Sequence, residues 1–394
     1  MVASRLIPVW GAAEIMWQIA LRMLFYDRVK YFGLILGVAI SILLINQQVA
    51  VFLGMLDRAG AVIRDIPEAG IWVMDPGLKN LDTIFAMRDI ELVRVRGVSG
   101  VKWAVPLFKA GVTVRTVDGN LESSMLIGAD DNSLIGIPSE FVMGNAESLR
   151  QSDAVAIGRD GYSRIWPGEP FRLGQELELN DRRAVLRAIV VDSPKFTSGV
   201  SFYTRYSQAL SYTNNGRHQM SFILVQPAAG LSGSEVAGRI TEATGLLALT
   251  STEFSWKMIR FVFLYTGIPV SIGTVILLGV LVGFCIVALL FNLFVVENLR
   301  YFAVLKAIGT TNRTLLGMVL LQAAVAGAVG YGIGLGLAAL FFEYASRIGN
   351  FRGFYLPWQI ALSSGVVAIS IILMSAFLAM RRVLKVEPGV VFRG

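Results

Sequence analysis

The stretch FVFLYTGIPVSIGTVILLGVLVGFCIVALLFNLFVVENLRYFAVLKAIGTTNRT, residues 261–314, decides how this chain is read. Residues 261–296 carry no charge, and then Glu297, Arg300, Lys306 and Arg313 arrive in quick succession. A bilayer core about 30 Å thick is crossed by about 20 helical residues. At about 1.5 Å per residue the uncharged part would form a helix of about 54 Å, longer than tilt absorbs. Two readings follow. In one, a helix kinked at Pro269 rises out of the bilayer as a stalk, transmits movement, and places Trp256 and Tyr265 near the interface. In the other, the helix breaks near Gly267 and Pro269.

Residues 31–56, 314–342 and 353–380 are uncharged runs of similar kind. The chain of 394 residues is 55% hydrophobic and only 16% charged, too apolar for an ordinary soluble domain. The expected fold is an α-helical membrane protein with four transmembrane helices and a large mixed α/β domain at 57–260. Basic residues set the orientation. Arg5, Arg22, Arg28 and Lys30 precede the first run; Arg300, Lys306 and Arg313 follow the second; Arg381, Arg382, Lys385 and Arg393 follow the fourth. The short segment 343–352 holds Arg347 and Arg352 alone. Both termini are therefore expected in the cytoplasm, with 57–260 and the short 343–352 loop outside. Charges within 57–260 nearly cancel, so the net +7 reflects topology, and nucleic acid is not an expected partner. No cleavable signal peptide is expected, the first span serving as insertion signal. The one cysteine, Cys285, lies in the second run, so no disulfide staples the outer domain.

Residues 1–30 read as a cytoplasmic amphipathic helix at the membrane surface, with Trp10, Ile15, Ala20, Leu21 and Leu24 on one face. In the outer domain, strands flank Asp118-Gly119 and Asn180-Asp181, both good hairpin turns, and FILVQP (222–227) is a further strand. Ser232 and Glu235 form a capping-box pattern, with Leu231 and Val236 as a staple. Residues 120–215 read as a β-rich insertion in an α/β module built from both ends of the domain.

The usual chemistry is missing. The sequence has no phosphate-loop motif and no G-x-S-x-G elbow. His218 is the only histidine, which argues against a zinc site. Asp130-Asp131 reads as a loop turn. The spans lack ionisable side chains, which argues against a proton- or ion-coupled carrier; Asn46, Gln47, Gln48, Asn292 and Gln322 are expected to bond between helices. Gly330, Gly332, Gly334 and Gly336 suggest a close helix-packing face, Gly332 and Gly336 forming one register. Catalytic, cofactor-binding and metal residues are therefore expected to be absent, and the chain reads as a non-catalytic subunit.

Residues 297–313 remain. Leu299, Phe302, Val304, Leu305 and Ile308 interleave with Arg300 and Lys306, a pattern that suits docking in a partner's groove or a turn resting on lipid phosphates. The run ENLRYFAVLKAIGTTNRTLLGMVLLQAAVAGAVGYGIG (297–334) resembles the coupling segment of MacB/FtsX-type ABC permeases, through Arg300, Ala303, Val304, Leu305, Lys306, Ala307, Ile308 and Gly309. The family usually has an acidic residue before the apolar part, where Tyr301 and Phe302 stand here; Glu297 lies upstream. ALRMLFYDRVKYFGLILGVAISI, GVSGVKWAVPLFKAGVTV and MLIGADDNSL are similar to its entry into the first span and its outer domain, and FLGMLDRAGAVIRDIPEAGIWVMDPG is most similar to the DevC branch.

The resemblance implies a MacB-like, type VII ABC permease of the bacterial inner membrane. It would act as a homodimer with two separate ATPase subunits, which bind the ATP and magnesium. Its ATPase-coupling residues would be Glu297, Arg300, Phe302, Leu305, Lys306, Ile308 and Gly309. Movement of this elbow would drive work on a lipid, glycolipid or other amphiphile on the outer side, with a periplasmic adaptor and an outer-membrane channel as further partners besides membrane lipids. The alternative is an FtsX-like relay regulating cell-wall hydrolases; a sensor paired with a kinase for antimicrobial peptides is a third option.

Overall fold

The computed structural model describes residues 9–26, 28–81, 83–116, 119–195, 199–213, 219–346 and 354–385. In chain order the elements begin with α1 (Val9–Tyr26), α2 (Arg28–Ala59), α3 (Ala61–Arg64), β1 (Ile71–Met74), β2 (Met87–Arg88), α4 (Asp89–Arg96), β3 (Val101–Arg115) and β4 (Leu121–Ala129). Next come β5 (Phe141–Met143), β6 (Ala154–Gly158), α5 (Arg159–Ile165), β7 (Glu176–Leu179), β8 (Arg182–Val190), β9 (Ser201–Arg205), α6 (Tyr206–Tyr212), β10 (Gln219–Met220) and β11 (Phe222–Pro227). The chain finishes with α7 (Gly233–Thr244), β12 (Leu247–Thr250), α8 (Ser251–Tyr265), α9 (Ile268–Glu297), α10 (Leu299–Ala307), α11 (Asn312–Ala345) and α12 (Trp358–Lys385). These fall into two compact units, one within Met1–Phe52, Pro269–Arg347 and Phe354–Gly394, the other within Leu53–Ile268 and Ile348–Gly353.

In the first unit, α2, α9, α11 and α12 are long and apolar enough to cross a membrane. The uncharged run at 261–296 does not make one rod. Helix α8 ends at Tyr265, Thr266 is extended (φ −113°, ψ 152°), and α9 starts at Ile268. Pro269 stands in the first turn of α9, where its missing N–H leaves no bond unmade. The continuous stalk is thus replaced by two helices. By contrast, α2 runs unbroken from Arg28 to Ala59.

Glycines let the helices approach. A Cβ on Gly334 would lie 2.5 Å from the Ala39 carbonyl oxygen, and one on Gly330 would lie 2.9 Å from that of Ile35. Nothing lies within 4 Å of a Cβ on Gly332 or Gly336. The contact register is therefore Gly330 and Gly334, and the pairing of Gly332 with Gly336 is corrected; half a turn away, those two point off the contact. On its other side α2 meets α9, where Gly283 faces Ser41 and Gly37 faces Ile286. Gly327 of α11 makes room for Ile372 of α12. Of the five polar residues, Asn46 and Gln322 bond between helices: Ser364 Oγ donates to Asn46 Oδ1 (3.1 Å) and Gln322 Nε2 to the Ala20 carbonyl (2.7 Å). Gln47, Gln48 and Asn292 are half-buried. Helix α1 packs on α11, burying Ala20 and Leu24, with Leu21 half-buried. It is in part a bundle helix, which a purely interfacial reading overlooks; the side chains of Trp10 and Ile15 lie outside those described.

The second unit is built on a ten-stranded sheet ordered β12-β1-β11-β3-β4-β9-β6-β8-β5, with β7 pairing β3 and β8. The long β3 belongs to both halves: its first part pairs β11 (Leu107 with Phe222) and its second pairs β4 (Phe108 with Gly128). All four residues of β1 are buried, and Trp72 packs on Phe222 and Phe254 at 5.5 and 5.7 Å between ring centroids. Phe254, Met258 and Val262 bury one face of α8 at helical spacing. Asn180 and Asp181 take φ of 47° and 60° between β7 and β8, the left-handed pair a tight hairpin turn requires. Gly119 turns between β3 and β4 with φ 79°; Asp118 lies outside the described residues. Asp130 accepts from the Ser133 amide (2.8 Å) and Asp131 from the Ser207 hydroxyl (2.9 Å), so these neighbours serve different loops. Ser232 is the N-cap of α7 but makes no cap bond: its hydroxyl bonds to that of Ser234 (2.8 Å), and Glu235 pairs with Arg239. A full capping box forms at Thr250 and Glu253, opening α8.

One buried polar cluster ties this unit together. Asp65, just after α3, accepts from the Ser193 amide (3.1 Å) and from the Lys195 ammonium. Asp192 lies 3.8 Å from Lys195 and accepts from the Tyr203 hydroxyl at 3.0 Å. It fits because residue 158 is glycine: a Cβ there would collide with the Asp192 carboxylate. Burial raises the Asp192 pKa from 3.8 to about 6; Lys195 and the Tyr203 bond offset this in part, while Asp65 and Asp160 add to it.

Two predictions follow from this packing. Gly334→Ala should destabilise the detergent-solubilised chain by about 1–3 kcal/mol, while Gly332→Ala should leave its thermal midpoint unchanged or slightly raised. For Asp192, the folded state holds the proton more tightly than the unfolded one. Its stabilising contribution is fully present below about pH 4 and is lost as the pH rises through about 6. Asp192→Asn should therefore raise the thermal midpoint at about pH 7.5 and leave it nearly unchanged at about pH 4.

Candidate functional site

The segment joining α9 to α11 is the site to which the sequence points. Helix α9 ends at Glu297. The Asn298 side-chain Nδ2 donates to the Phe294 carbonyl at 2.8 Å, and its backbone turns the chain into α10. Helix α10 ends because Gly309 takes φ 101°, a conformation that suits glycine best. The Gly309 and Thr310 amides close the helix end on the carbonyls of Lys306 (3.1 Å) and Leu305 (3.0 Å). Thr311 then caps α11, accepting from the Thr314 amide. Each end of the elbow is thus held by a local hydrogen-bonding device, which makes α10 a defined element.

Its inner face belongs to the helical core. Phe302 is 1% exposed and clustered with Phe291, Phe294, Leu315 and Met318, and Ala303 beside it is fully buried. Leu305 is half-buried against the same cluster. Phe302, grouped by sequence with the docking residues, is therefore buried in this chain's own helical core, and the helical period of α10 turns 302 and 303 inward together. Its outer face offers Arg300, Tyr301 at 60% exposure and Ile308 at 76%. Ala307 and Gly309 are also exposed, and Lys306 is intermediate. Glu297 pairs with Lys30 at the start of α2, joining two helix ends.

Sequence reading missed Tyr301 as part of the outer face. No local signal fixed this: 301 and 308 lie two helical turns apart on one side, and only the burial of 302 and 303 shows which side faces the core. The Lys30–Glu297 pair had no local signal, since 267 residues separate its members. Of the glycine set, Gly330 and Gly334 meet α2, and Gly332 and Gly336 do not. Among the described residues no cluster of three or more histidine, cysteine or acidic side chains could hold a metal ion. Cys285 is a free, exposed thiol on α9, and His218 lies outside the described residues.

Residues 273–388 match the FtsX-like permease C-terminal family, a region that begins early in α9 and contains the whole elbow. Two uncharacterized ABC transporter permeases of Mycobacterium tuberculosis, from strains CDC 1551 / Oshkosh and ATCC 25618 / H37Rv, are each 26% identical over 312 residues. In both cases the alignment spans 78% of this chain and 79% of the relative. Among solved structures, the extracellular domain of the noncanonic ABC-type transporter YknZ from Gram-positive bacteria aligns with TM-score 0.34 and 14% identity, over 46% of this chain and 98% of that one. The periplasmic region of MacB from Actinobacillus actinomycetemcomitans aligns with TM-score 0.37 and 14% identity, over 52% and 97% respectively. Residues 273–388 are thus similar to an FtsX-like permease domain, and the chain as a whole is similar to these two ABC transporter permeases.

The two faces of α10 should respond differently to truncation. Phe302→Ala should cost about 3–5 kcal/mol by opening a cavity in the bundle. Ile308→Ala should stay within about 0.5 kcal/mol of the parent. Thermal unfolding of the purified full chain in lipid nanodiscs reads both.

Proposed function

We propose that this chain is the membrane subunit of an ATP-driven mechanotransmission exporter. It sits in the bacterial inner membrane as a homodimer with both termini in the cytoplasm, and separate ABC ATPase subunits dock under residues 297–313. One observation carries this reading: α10 is built into the helical core by Phe302 while presenting Arg300, Tyr301 and Ile308 outward. A close-packed interior transmits displacement because it has little room to deform. A push on the outer face therefore moves the ends of α9 and α11 with it.

ATP and magnesium belong to the partner, and this chain supplies no catalytic group. The break at Thr266 and Gly267 makes the α8–α9 connection a hinge. The unbroken α2 then carries the stroke towards Asp65, which the Lys195 ammonium holds. The work done is removal of a lipid, glycolipid or other amphiphile from the outer side, handed to an adaptor and an outer-membrane channel.

Co-expression with the ABC ATPase encoded nearest to it tests the docking. Tyr301→Asp and Ile308→Asp should abolish the 2:2 complex and lower complex-dependent ATP turnover about tenfold or more, with the thermal midpoint of the permease unchanged. Normal assembly and turnover in both variants would remove the elbow from the ATPase contact.

A further inference from the structure

We infer that Lys30 and Glu297 form a clasp through which the elbow moves α2, which makes Glu297 a positioning residue inside this chain and removes it from the ATPase contact. Glu297 is the last residue of α9, and Lys30 stands in the first turn of α2. Their side chains pair although 267 residues of sequence separate them. Val29, the residue before, is 83% exposed, whereas the Lys30 side chain is 15% exposed. The lysine is thus turned to α9 and its neighbour away from it.

Neither charge suits its own helix. A helix carries partial positive charge at its N-terminus and partial negative charge at its C-terminus. Lys30 therefore meets a like charge in the first turn of α2, and Glu297 meets one at the end of α9. Each side chain offsets the mismatch of the other. The Glu297 side chain stays 50% exposed, and an ion pair so open to water adds little to stability. Its effect is directional: it fixes where the last turn of α9 stands against the first turn of α2.

The contact beyond the pair makes that position count. A Cβ on Gly33 would lie 3.2 Å from Leu290 Cδ1, one on Gly37 would lie 2.8 Å from Ile286 Cγ2, and Gly283 faces Ser41. From 33 to 41 on α2 the facing residue falls from 290 to 283 on α9, so the two helices run antiparallel and touch at successive turns. Lys30 and Glu297 close this seam at its elbow end. On the other side of Glu297, the Asn298 carbonyl accepts from the amides of Tyr301 (3.0 Å) and Phe302 (3.2 Å) and so ties α10 to the end of α9. A displacement of α10 reaches Glu297 first, and through the clasp it moves α2 together with α9. That this movement is an export stroke rests on the exporter reading; the clasp itself does not.

Charge exchange in the full chain, held in lipid nanodiscs, tests the clasp. Hydrogen exchange over residues 298–307 should be about threefold to fivefold faster in Lys30→Glu and in Glu297→Lys, the order of effect an exposed pair has. Glu297→Gln, which removes the attraction and adds no repulsion, should shift it in the same direction. The double variant Lys30→Glu with Glu297→Lys places each charge at the helix end that favours it, so its exchange should return to the parent rate or fall below it. With the ABC ATPase encoded nearest to this chain, each single variant should keep the 2:2 complex and lose complex-dependent turnover by about the same factor; the double variant should restore it. Loss of the complex in Glu297→Lys alone, with Lys30→Glu assembling normally, would put Glu297 on the ATPase and overturn the clasp. Parent-like exchange in the single variants, parent-like turnover in them, or a double variant that rescues neither would overturn it too. A parent chain that binds no ATPase, yet shows the exchange pattern and its rescue, rejects the exporter reading and supports the clasp.

Discussion

Hydrocarbon offers no hydrogen-bond partner to a peptide group, and the rest of this structure depends on that constraint. Every residue that enters the bilayer must satisfy its own backbone, which leaves helices as the available form. Once helical, the segments gain little from hiding apolar surface from lipid, so their association relies on close contact. Helix α2 shows the result. It lies between α11, which approaches through Gly330 and Gly334, and α9, which approaches through Gly283. The Asn46–Ser364 hydrogen bond adds a directional contact to α12. The elbow is then a consequence: α9 and α11 are consecutive helices of one bundle, and α10 is the short piece that must join them without leaving the core.

Sequence made the spans legible because an uncharged run is a one-dimensional property. It also made the Asn180-Asp181 turn and the strand at 222–227 legible, since turn chemistry and β-branched runs are local. Rotational register was not legible. Four glycines at alternate positions of α11 look equivalent until a neighbour is present, and only two of them meet α2. The same lack hid the orientation of Phe302 and Tyr301, adjacent residues with opposite surroundings. Contacts made at long sequence separation left no trace: nothing near Asp65 announces Lys195, and nothing near Lys30 announces Glu297. The capping box was sought at Ser232 and Glu235, where the motif letters are right. Arg239, one turn on, takes the glutamate instead, and the box forms at Thr250.

The break before α9 shows how one residue divides two tasks. A single helix through residues 251–297 would be stiff and longer than any bilayer requires. Pro269 costs nothing in a first turn and much in a helix interior, so the chain ends one helix and begins another. Met258 and Val262 can then complete the core of the outer unit, while α9 answers only to lipid and to its bundle.

The position of β1 sets the order in which the outer unit can close. Ile71–Met74 is wholly buried, yet its two neighbours in the sheet are β11 and β12, the last two strands of that unit to be translated. During synthesis β1 emerges directly after the first span and waits, with both hydrogen-bonding edges open, while the whole β-rich insertion is made. Pairings that close such long loops form slowly, and an open apolar edge invites association with other chains. A strand that is wholly buried in the finished domain is thus long exposed in the nascent one. The time between the synthesis of β1 and of β12 is thus the interval over which this strand needs protection from other chains.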